Sequence, residues 1–246
     1  MLGHRIVPAV LAGLVCLWVF PAVAFSADYS AERAGLLREI ERHVRDTRWQ
    51  TGRAVLDGRV MEVMGRVPRH EFVPPQWRSR AYENRPLPIG HGQTISQPYI
   101  VALMTDMLGT EPGDTVLEVG TGSGYQAAVL AELVGKVFTI EIVEPLHEGA
   151  AALHRNLGYE NIEGRLGDGY YGWKEHAPFD AIIVTAAASH IPPPLVEQLK
   201  PGGVMLIPVG PQFQVQQLTL VNKTTGGEVT TRAFLPVTFV PLTGQH

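Results

Sequence analysis

The residues best suited to chemistry are three carboxylates and a run of alternating glycines. Val116 to Val119 is an apolar run that reads as a buried parallel strand. Gly120, Gly122 and Gly124 follow it, and Ala127 to Val134 then reads as a helix. Glycine lets a backbone turn tightly and approach a ligand, because no Cβ stands in the way. A helix start offers unpaired N–H groups and the positive end of the dipole. The stretch therefore reads as a cradle for an anionic or polar group. Glu141 ends the next strand, where a carboxylate can accept hydrogen bonds from both hydroxyls of a ribose. Asp168, between Gly167 and Gly169, follows the third strand and is placed for an adenine amino group. Taken singly, Glu141 also reads as a solvated strand-end charge and Asp168 as a turn residue. Together, at the carboxyl edge of consecutive strands, they favour a bound cofactor.

Two cofactors compete. A dinucleotide fingerprint needs Gly-x-Gly-x-x-Gly, and here Tyr125 stands where the third glycine should be. Glu118, inside the strand, is also foreign to that fingerprint. The run Glu118-Val-Gly120-Thr-Gly122-Ser-Gly124 instead resembles motif I of class I S-adenosylmethionine-dependent methyltransferases. On that resemblance the cofactor contacts are Glu118, Gly120, Thr121, Gly122, Ser123, Gly124, Glu141, Asp168 and Gly169.

A second unusual stretch is Pro86-Leu-Pro-Ile-Gly-His-Gly-Gln-Thr-Ile-Ser-Gln-Pro98. Its prolines and glycines predict a long irregular loop, and such loops are more often functional than idle. Apolar residues at helical spacing predict helices over 32–48 and 53–67, an N-terminal cap before the sheet. Pro68, Pro74 and Pro75 predict irregular chain over 69–75. A helix is expected over 99–108. Strands are expected at 115–119, 137–141, 162–166, 180–185 and 203–208, and helices at 125–134, 145–157 and 192–200. This alternation implies an α/β fold, a doubly wound Rossmann-like sheet that is mostly parallel with helices on both faces. Strands over 215–221 and 229–240, joined through Thr224-Thr225-Gly226-Gly227, add a C-terminal antiparallel hairpin.

The 246 residues suffice for one domain over 26–246, and 45% hydrophobic content supports a core. A net charge of −4 without long basic runs argues against nucleic acid as a partner. His4 and Arg5 precede an apolar stretch from Ile6 to Phe25 with small-x-small sites at Ala22-Val23-Ala24 and Ala24-Phe25-Ser26. Residues 1–25 therefore read as a secretory signal peptide, with an uncleaved membrane anchor as the alternative. Export to the periplasm is expected; a cytoplasmic location is the alternative. Cys16 is the sole cysteine, and it lies in that segment, so the mature chain has no Cys–His set and no metal is expected. His147 and His154 are seven apart, too far for a pair within one helical turn. His91 reads as shaping its loop. A monomer is expected.

The chain resembles the protein-L-isoaspartate O-methyltransferases. The resemblance rests on Leu87 to Pro98, Val116 to Gln126, and Ala177 to Ala188 continuing through Gln198-Leu-Lys-Pro-Gly-Gly203 to Gly210. Val67 to Val73 and Arg232 to Leu242 extend it. The block Thr94-Ile95-Ser96-Gln97-Pro98 is its specific part, and the export-type N-terminus is its departure. It implies methyl transfer from S-adenosylmethionine to the free α-carboxyl of L-isoaspartyl residues in damaged proteins and peptides, followed by spontaneous closure to a succinimide. It also implies Ser96 as the active-site residue. The acceptor is already an anion, so no general base is needed. Anion and sulfonium neutralise each other, so a dry site with fixed dipoles favours the reaction. Ser96 Oγ is assigned to orient the acceptor carboxylate; its alternative is a hydroxyl capping the helix at Tyr99. Thr94, Ile95, Val184, Thr185 and Ala186 are candidate substrate contacts, with Ile95 and Val184 supplying dryness and Thr185 supplying backbone groups. The rival readings are a nicotinamide-dependent oxidoreductase and an exported, non-catalytic binding module.

Overall fold

The computed structural model describes Gly3 and residues 28–245; the signal-peptide reading falls outside these residues. Helices α1 (Ser30–Thr51) and α2 (Gly58–Arg66) come first. Asp57 caps α2, its side chain accepting from Arg59 N, so this helix starts five residues later than its apolar spacing suggests. Residues 69–75, expected to be irregular, carry a 3₁₀ turn at Arg69–Phe72, and a second turn covers Pro75–Arg80. Proline suits the start of such a turn because its missing N–H would have no partner there.

The stretch from Pro86 to Pro98 overturns its reading as irregular. Strands β1 (Leu87–Gly90) and β2 (Gln93–Ile95) pair antiparallel as a small hairpin. Pro88 is tolerated in so short a two-stranded ribbon, where one edge of each strand needs no partner. His91 and Gly92 turn the corner with φ of 52° and 72°, so His91 does shape the stretch.

Helix α3 (Pro98–Leu108) leads into the main sheet, with β3 (Thr115–Val119), α4 (Tyr125–Ala131), β4 (Lys136–Glu141), α5 (Glu144–Asn156), β5 (Ile162–Leu166), β6 (Phe179–Val184), α6 (Pro193–Gln198) and β7 (Leu199–Val209). Strands β8 (Gln216–Lys223) and β9 (Val229–Val237) finish it as an antiparallel hairpin. The strand order is β5-β4-β3-β6-β7-β8-β9, with β5 to β7 parallel. Alternate residues of the strands feed two apolar cores. Val116, Val137, Ile183 and Leu206 pack with α1 to α4, while Leu117, Ile140, Ile182 and Met205 pack with Leu195 of α6 and with Trp173. Among the described residues, no helix is long and apolar enough to cross a membrane.

The order reverses between β3 and β6, which are neighbours in space but not in sequence. Helices leaving this point diverge to either side and open a crevice at the carboxyl ends of the strands. The glycine turn after β3 sits at its lip. Gly124 has φ of 84°, and a Cβ there would lie 2.5 Å from Nε2 of His154 on α5. That Nε2–H donates to Gly124 O at 2.8 Å. Gly124→Ala should therefore cost about 1–3 kcal/mol, from the positive φ and the displaced imidazole together. Urea titration of both proteins measures it, and a loss under 0.5 kcal/mol would show that the turn relaxes freely.

Candidate functional site

A cleft of about 740 Å³, counting its open mouth, runs along the carboxyl ends of β3, β4 and β6. Its borders include Glu118, Gly120, Thr121, Gly122, Ser123, Glu141 and Gly169, together with Thr94, Ile95, Ser96, Thr185 and Ala186. Most of the expected cofactor and acceptor residues thus meet in one place, joined by Ile142, Val143 and the C-terminal Val240 to Thr243.

The glycine loop works differently from an anion cradle. Gly120 N and Thr121 N donate to Ile140 O, Gly124 N to Thr121 O, and Gly122 N to Glu141 Oε2. With these donors consumed inside the protein, the loop presents its surface to a ligand and not a ring of N–H groups. Thr121 Oγ1 bonds to Thr139 Oγ1 at 2.6 Å, and Ser123 Oγ accepts from Tyr125 N at 3.3 Å. Both hydroxyls serve the loop itself.

Glu141 is held by three amides. Oε1 accepts from Ile142 N and Val143 N, both at 2.9 Å, and Oε2 accepts from Gly122 N at 2.7 Å. A carboxylate has about four lone-pair sites, so acceptor capacity remains for a diol at the cleft. Thr185 Oγ1 donates to Gly120 O at 2.6 Å, and Thr185 N to Val119 O at 2.9 Å. Its backbone N–H, expected to serve the substrate, instead continues the β3–β6 ladder. A Cβ on Gly120 would fall 2.5 Å from that hydroxyl, so the loop and Thr185 are fitted to each other.

Glu118 is fully buried. Thr139 Oγ1 donates to Oε2 at 2.5 Å, while Oε1 has no partner among the described residues. Burial pushes its pKa up to about 8; the Thr139 hydrogen bond opposes the rise and the Glu141 carboxylate adds to it. An orphaned acceptor at a cleft floor suits a cationic donor from a ligand. The residues therefore fit S-adenosylmethionine: Glu118 Oε1 for the α-ammonium, Glu141 for the ribose, and Ile142, Val143 and Gly169 for the adenine. Gly169 has to be glycine because a Cβ there would collide with Val119 Cγ1.

Three expected contacts lie elsewhere, the first being Gly124, which does not border the cleft and whose carbonyl accepts from His154. Asp168 does not border the cleft. Oδ1 accepts from Tyr170 N at 3.0 Å and Oδ2 from Gln245 N at 3.1 Å, so the side chain caps the local 3₁₀ turn and fastens the C-terminal segment. Val184 is fully buried in the core beneath the site and does not border the cleft.

Ser96 lies between the cleft and a second, larger groove, and borders both. The capping alternative does not hold. Gln97 is the N-cap of α3 but its side chain donates to Asn84 O and does not cap the helix, and Asn84 Oδ1 accepts from Tyr99 N at 2.9 Å. Ser96 Oγ has no partner among the described residues and is left for a ligand. Its backbone is fixed by Arg69, which the sequence reading passed over. This side chain is fully buried, with Nη2 donating to Ser96 O at 2.7 Å, Nε to Ala81 O at 2.8 Å, and the guanidinium 4.8 Å from the Tyr125 ring centre. Burial lowers its pKa to about 10, which still leaves it charged at neutral pH. Its sequence signal, an arginine followed by His70 and Glu71, looks like surface charge without the fold. Among the described residues, no three His, Cys, Asp or Glu gather as metal ligands.

The Glu118 shift makes a stability prediction. The unfolded carboxyl titrates near 4.5 and the folded one near 8. Between these values the folded state binds the extra proton, so stability falls as pH rises. The contribution is complete below 4.5 and is lost through 8, at up to about 1.4 kcal/mol per pH unit. Glu118→Gln should flatten the stability of the cofactor-free protein between pH 5 and 8; denaturant midpoints with the same pH slope in both proteins would contradict this.

Comparison with known proteins agrees with this geometry. The profile described as protein-L-isoaspartate(D-aspartate) O-methyltransferase matches residues 44–246. A protein-L-isoaspartate O-methyltransferase 2 of Polaromonas sp. (strain JS666) is 67% identical over 211 residues, covering 86% of this chain and all of that protein. A protein-L-isoaspartate O-methyltransferase 1 of Cupriavidus necator is 57% identical over 241 residues, covering 98% of this chain and 93% of that protein. Among solved structures, one described as a putative protein-L-isoaspartate O-methyltransferase from Plasmodium falciparum, in complex with S-adenosyl-L-homocysteine, superposes with a TM-score of 0.72. It is 26% identical, and the match covers 89% of this chain and 99% of that one. The chain belongs to the protein-L-isoaspartate O-methyltransferase family and is an S-adenosylmethionine-dependent enzyme of isoaspartyl repair.

Proposed function

We propose that methyl transfer takes place where the cofactor cleft opens into the second groove, with Ser96 Oγ orienting the isoaspartyl α-carboxylate. One observation carries the assignment: Thr94, Ser96, Thr185, Val240 and Pro241 border both cavities, so an acceptor in one meets a cofactor in the other there. S-adenosylmethionine supplies an activated methyl on a sulfonium. The chain supplies binding, alignment and a dry setting. Glu118 would hold the α-ammonium of the cofactor and Glu141 its ribose hydroxyls. Ile95, 3% exposed, gives the cofactor cleft an apolar wall next to Ser96. Arg69 fixes the Ser96 carbonyl, and the Ser96 hydroxyl donates to one carboxylate oxygen of the acceptor. The carboxylate is a competent nucleophile as bound, so no proton has to move. Catalysis is then mostly alignment and exchange of water for fixed dipoles.

Transfer of labelled methyl from S-adenosylmethionine to a synthetic isoaspartyl peptide, with the normal aspartyl peptide as control, checks the reaction. Labelling confined to the isoaspartyl peptide is expected, and equal labelling of both would overturn the acceptor assignment. Ser96→Ala should lower turnover about 10- to 100-fold, with S-adenosylhomocysteine affinity by calorimetry unchanged. Loss of that affinity instead would move Ser96 into the cofactor site.

We propose also that the enzyme works after export to the periplasm. The apolar stretch 6–25 with its small-residue sites supports this reading. Sequencing of the mature N-terminus should give a start near Phe25 or Ala27; an intact Met1 would favour an anchor or a cytoplasmic enzyme.

A further inference from the structure

The second groove encloses about 1590 Å³, counting its open mouth, and none of its bordering residues carries a charge. Its apolar walls include Pro86, Ile100, Pro236, Val237, Phe239 and Phe213, and uncharged polar groups come from Thr238, Gln97 and the residues around Ser96. Phe213 is 82% exposed and the adjacent Val215 is 61% exposed. Isolated surface apolar residues are ordinary, but an aromatic ring bordering an uncharged, largely apolar groove marks a contact surface.

The loop that carries Phe213 is built and held. It links β7 to β8 through 210–215. Phe213 has φ of 58°, a left-handed conformation that an aromatic residue rarely adopts. Gln216, fully buried, donates from Nε2 to Pro211 O at 3.2 Å and accepts at Oε1 from Phe239 N at 2.8 Å. One amide thus ties the loop to the opposite wall. Gly210, with φ of 155°, closes on it, since a Cβ there would lie 3.0 Å from Gln216 Cα. The exposed ring is kept at the groove by a buried hydrogen-bonded clamp.

A groove continuous with Ser96 receives the chain on one side of the modified residue. Without a charged group in its lining, it would strip water from a charged neighbour and offer no counter-charge, while an apolar neighbour gains burial. We propose that Phe213 is a specificity-determining contact for a residue flanking the isoaspartate, so that the enzyme selects isoaspartyl sites with apolar neighbours over those with polar or charged ones. This rests on the acceptor assignment above.

The test uses three isoaspartyl peptides that differ only in the residues on either side of the isoaspartate: leucines, serines or lysines. Wild-type enzyme should show kcat/KM about tenfold higher for the leucine than the serine peptide, mainly through KM, and lower still for the lysine peptide. Phe213→Ala should bring the leucine and serine peptides within about twofold of each other. Phe213→Leu should keep most of the preference. S-adenosylhomocysteine affinity, thermal midpoint and kcat on the serine peptide should be unchanged in both variants. An undiminished leucine preference in Phe213→Ala, or no preference in the wild type, overturns the proposal. Failure of the wild type to methylate any of the three, while still binding S-adenosylhomocysteine, would instead strike the acceptor assignment on which it depends.

Discussion

The glycine loop after β3 stays in place because side chains from three other elements satisfy it. Glu141 from β4 takes the Gly122 N–H, Thr185 after β6 takes the Gly120 carbonyl, and His154 from α5 takes the Gly124 carbonyl. A turn of alternating left-handed glycines forfeits the regular hydrogen bonds of strand and helix. It also carries a high entropic cost, since glycine loses most on ordering. Each of these contacts offsets part of that cost and links the loop to a different part of the sheet. The cleft is consequently a shared product of β3, β4, β6 and α5. A shift in one of them is passed to the cofactor site through a bond of 2.6–2.8 Å. His154 suits this role because burial lowers its pKa, so it remains a neutral donor to a carbonyl.

Two buried ionisable groups bracket the site, and they differ in what they need. Arg69 is served in part by the fold, through two carbonyls at Nε and Nη2 and an aromatic face, while Nη1 has no hydrogen-bond partner among the described residues, and its burial fixes the Ser96 backbone. Glu118 is served by half: Thr139 reaches one oxygen, and no described residue reaches the other. An unpaired buried carboxyl is costly, and the protein limits that cost by keeping it protonated until something cationic arrives. Position separates architecture from binding, because Glu118 borders the cleft and Arg69 does not. Arg69 organises a loop, whereas Glu118 is an unfinished contact that a ligand completes.

The order of elements was legible because apolar periodicity and βα alternation are local signals, and they placed every strand of the main sheet within a few residues. The sites at strand ends were legible for the same reason: Glu141 and the glycines sit where the alternation turns. What escaped was decided by distant partners. Asp168 has the same strand-end address as Glu141, yet it is claimed by Tyr170 N and Gln245 N, the second of them far along the chain. The stretch Pro86 to Pro98 contains residues that discourage strands, but its two arms find each other and form a ribbon. Arg69 could not be told from a surface arginine, since its burial depends on Ala81, Ser96 and Tyr125 converging around it. Val184 and Thr185 are adjacent, yet only Thr185, just past the end of β6, borders the cleft, while Val184 packs into the core.

The chemistry explains why so few side chains mark the site. A reaction that joins an anionic acceptor to a sulfonium needs neither base nor metal from the protein. Its demands are geometric, so they fall on the backbone and on groups that hold the backbone. Thr185, Arg69, His154 and Gln216 all act in this way, each donating to a main-chain carbonyl. The same economy makes the second groove informative. Methyl transfer at Ser96 requires only that a carboxylate reach the junction. The apolar walls beyond it, and the buried amide that secures Phe213 over them, do nothing for the transfer itself. They contribute only when a polypeptide lies along the groove, which ties them to the choice of acceptor and not to the reaction.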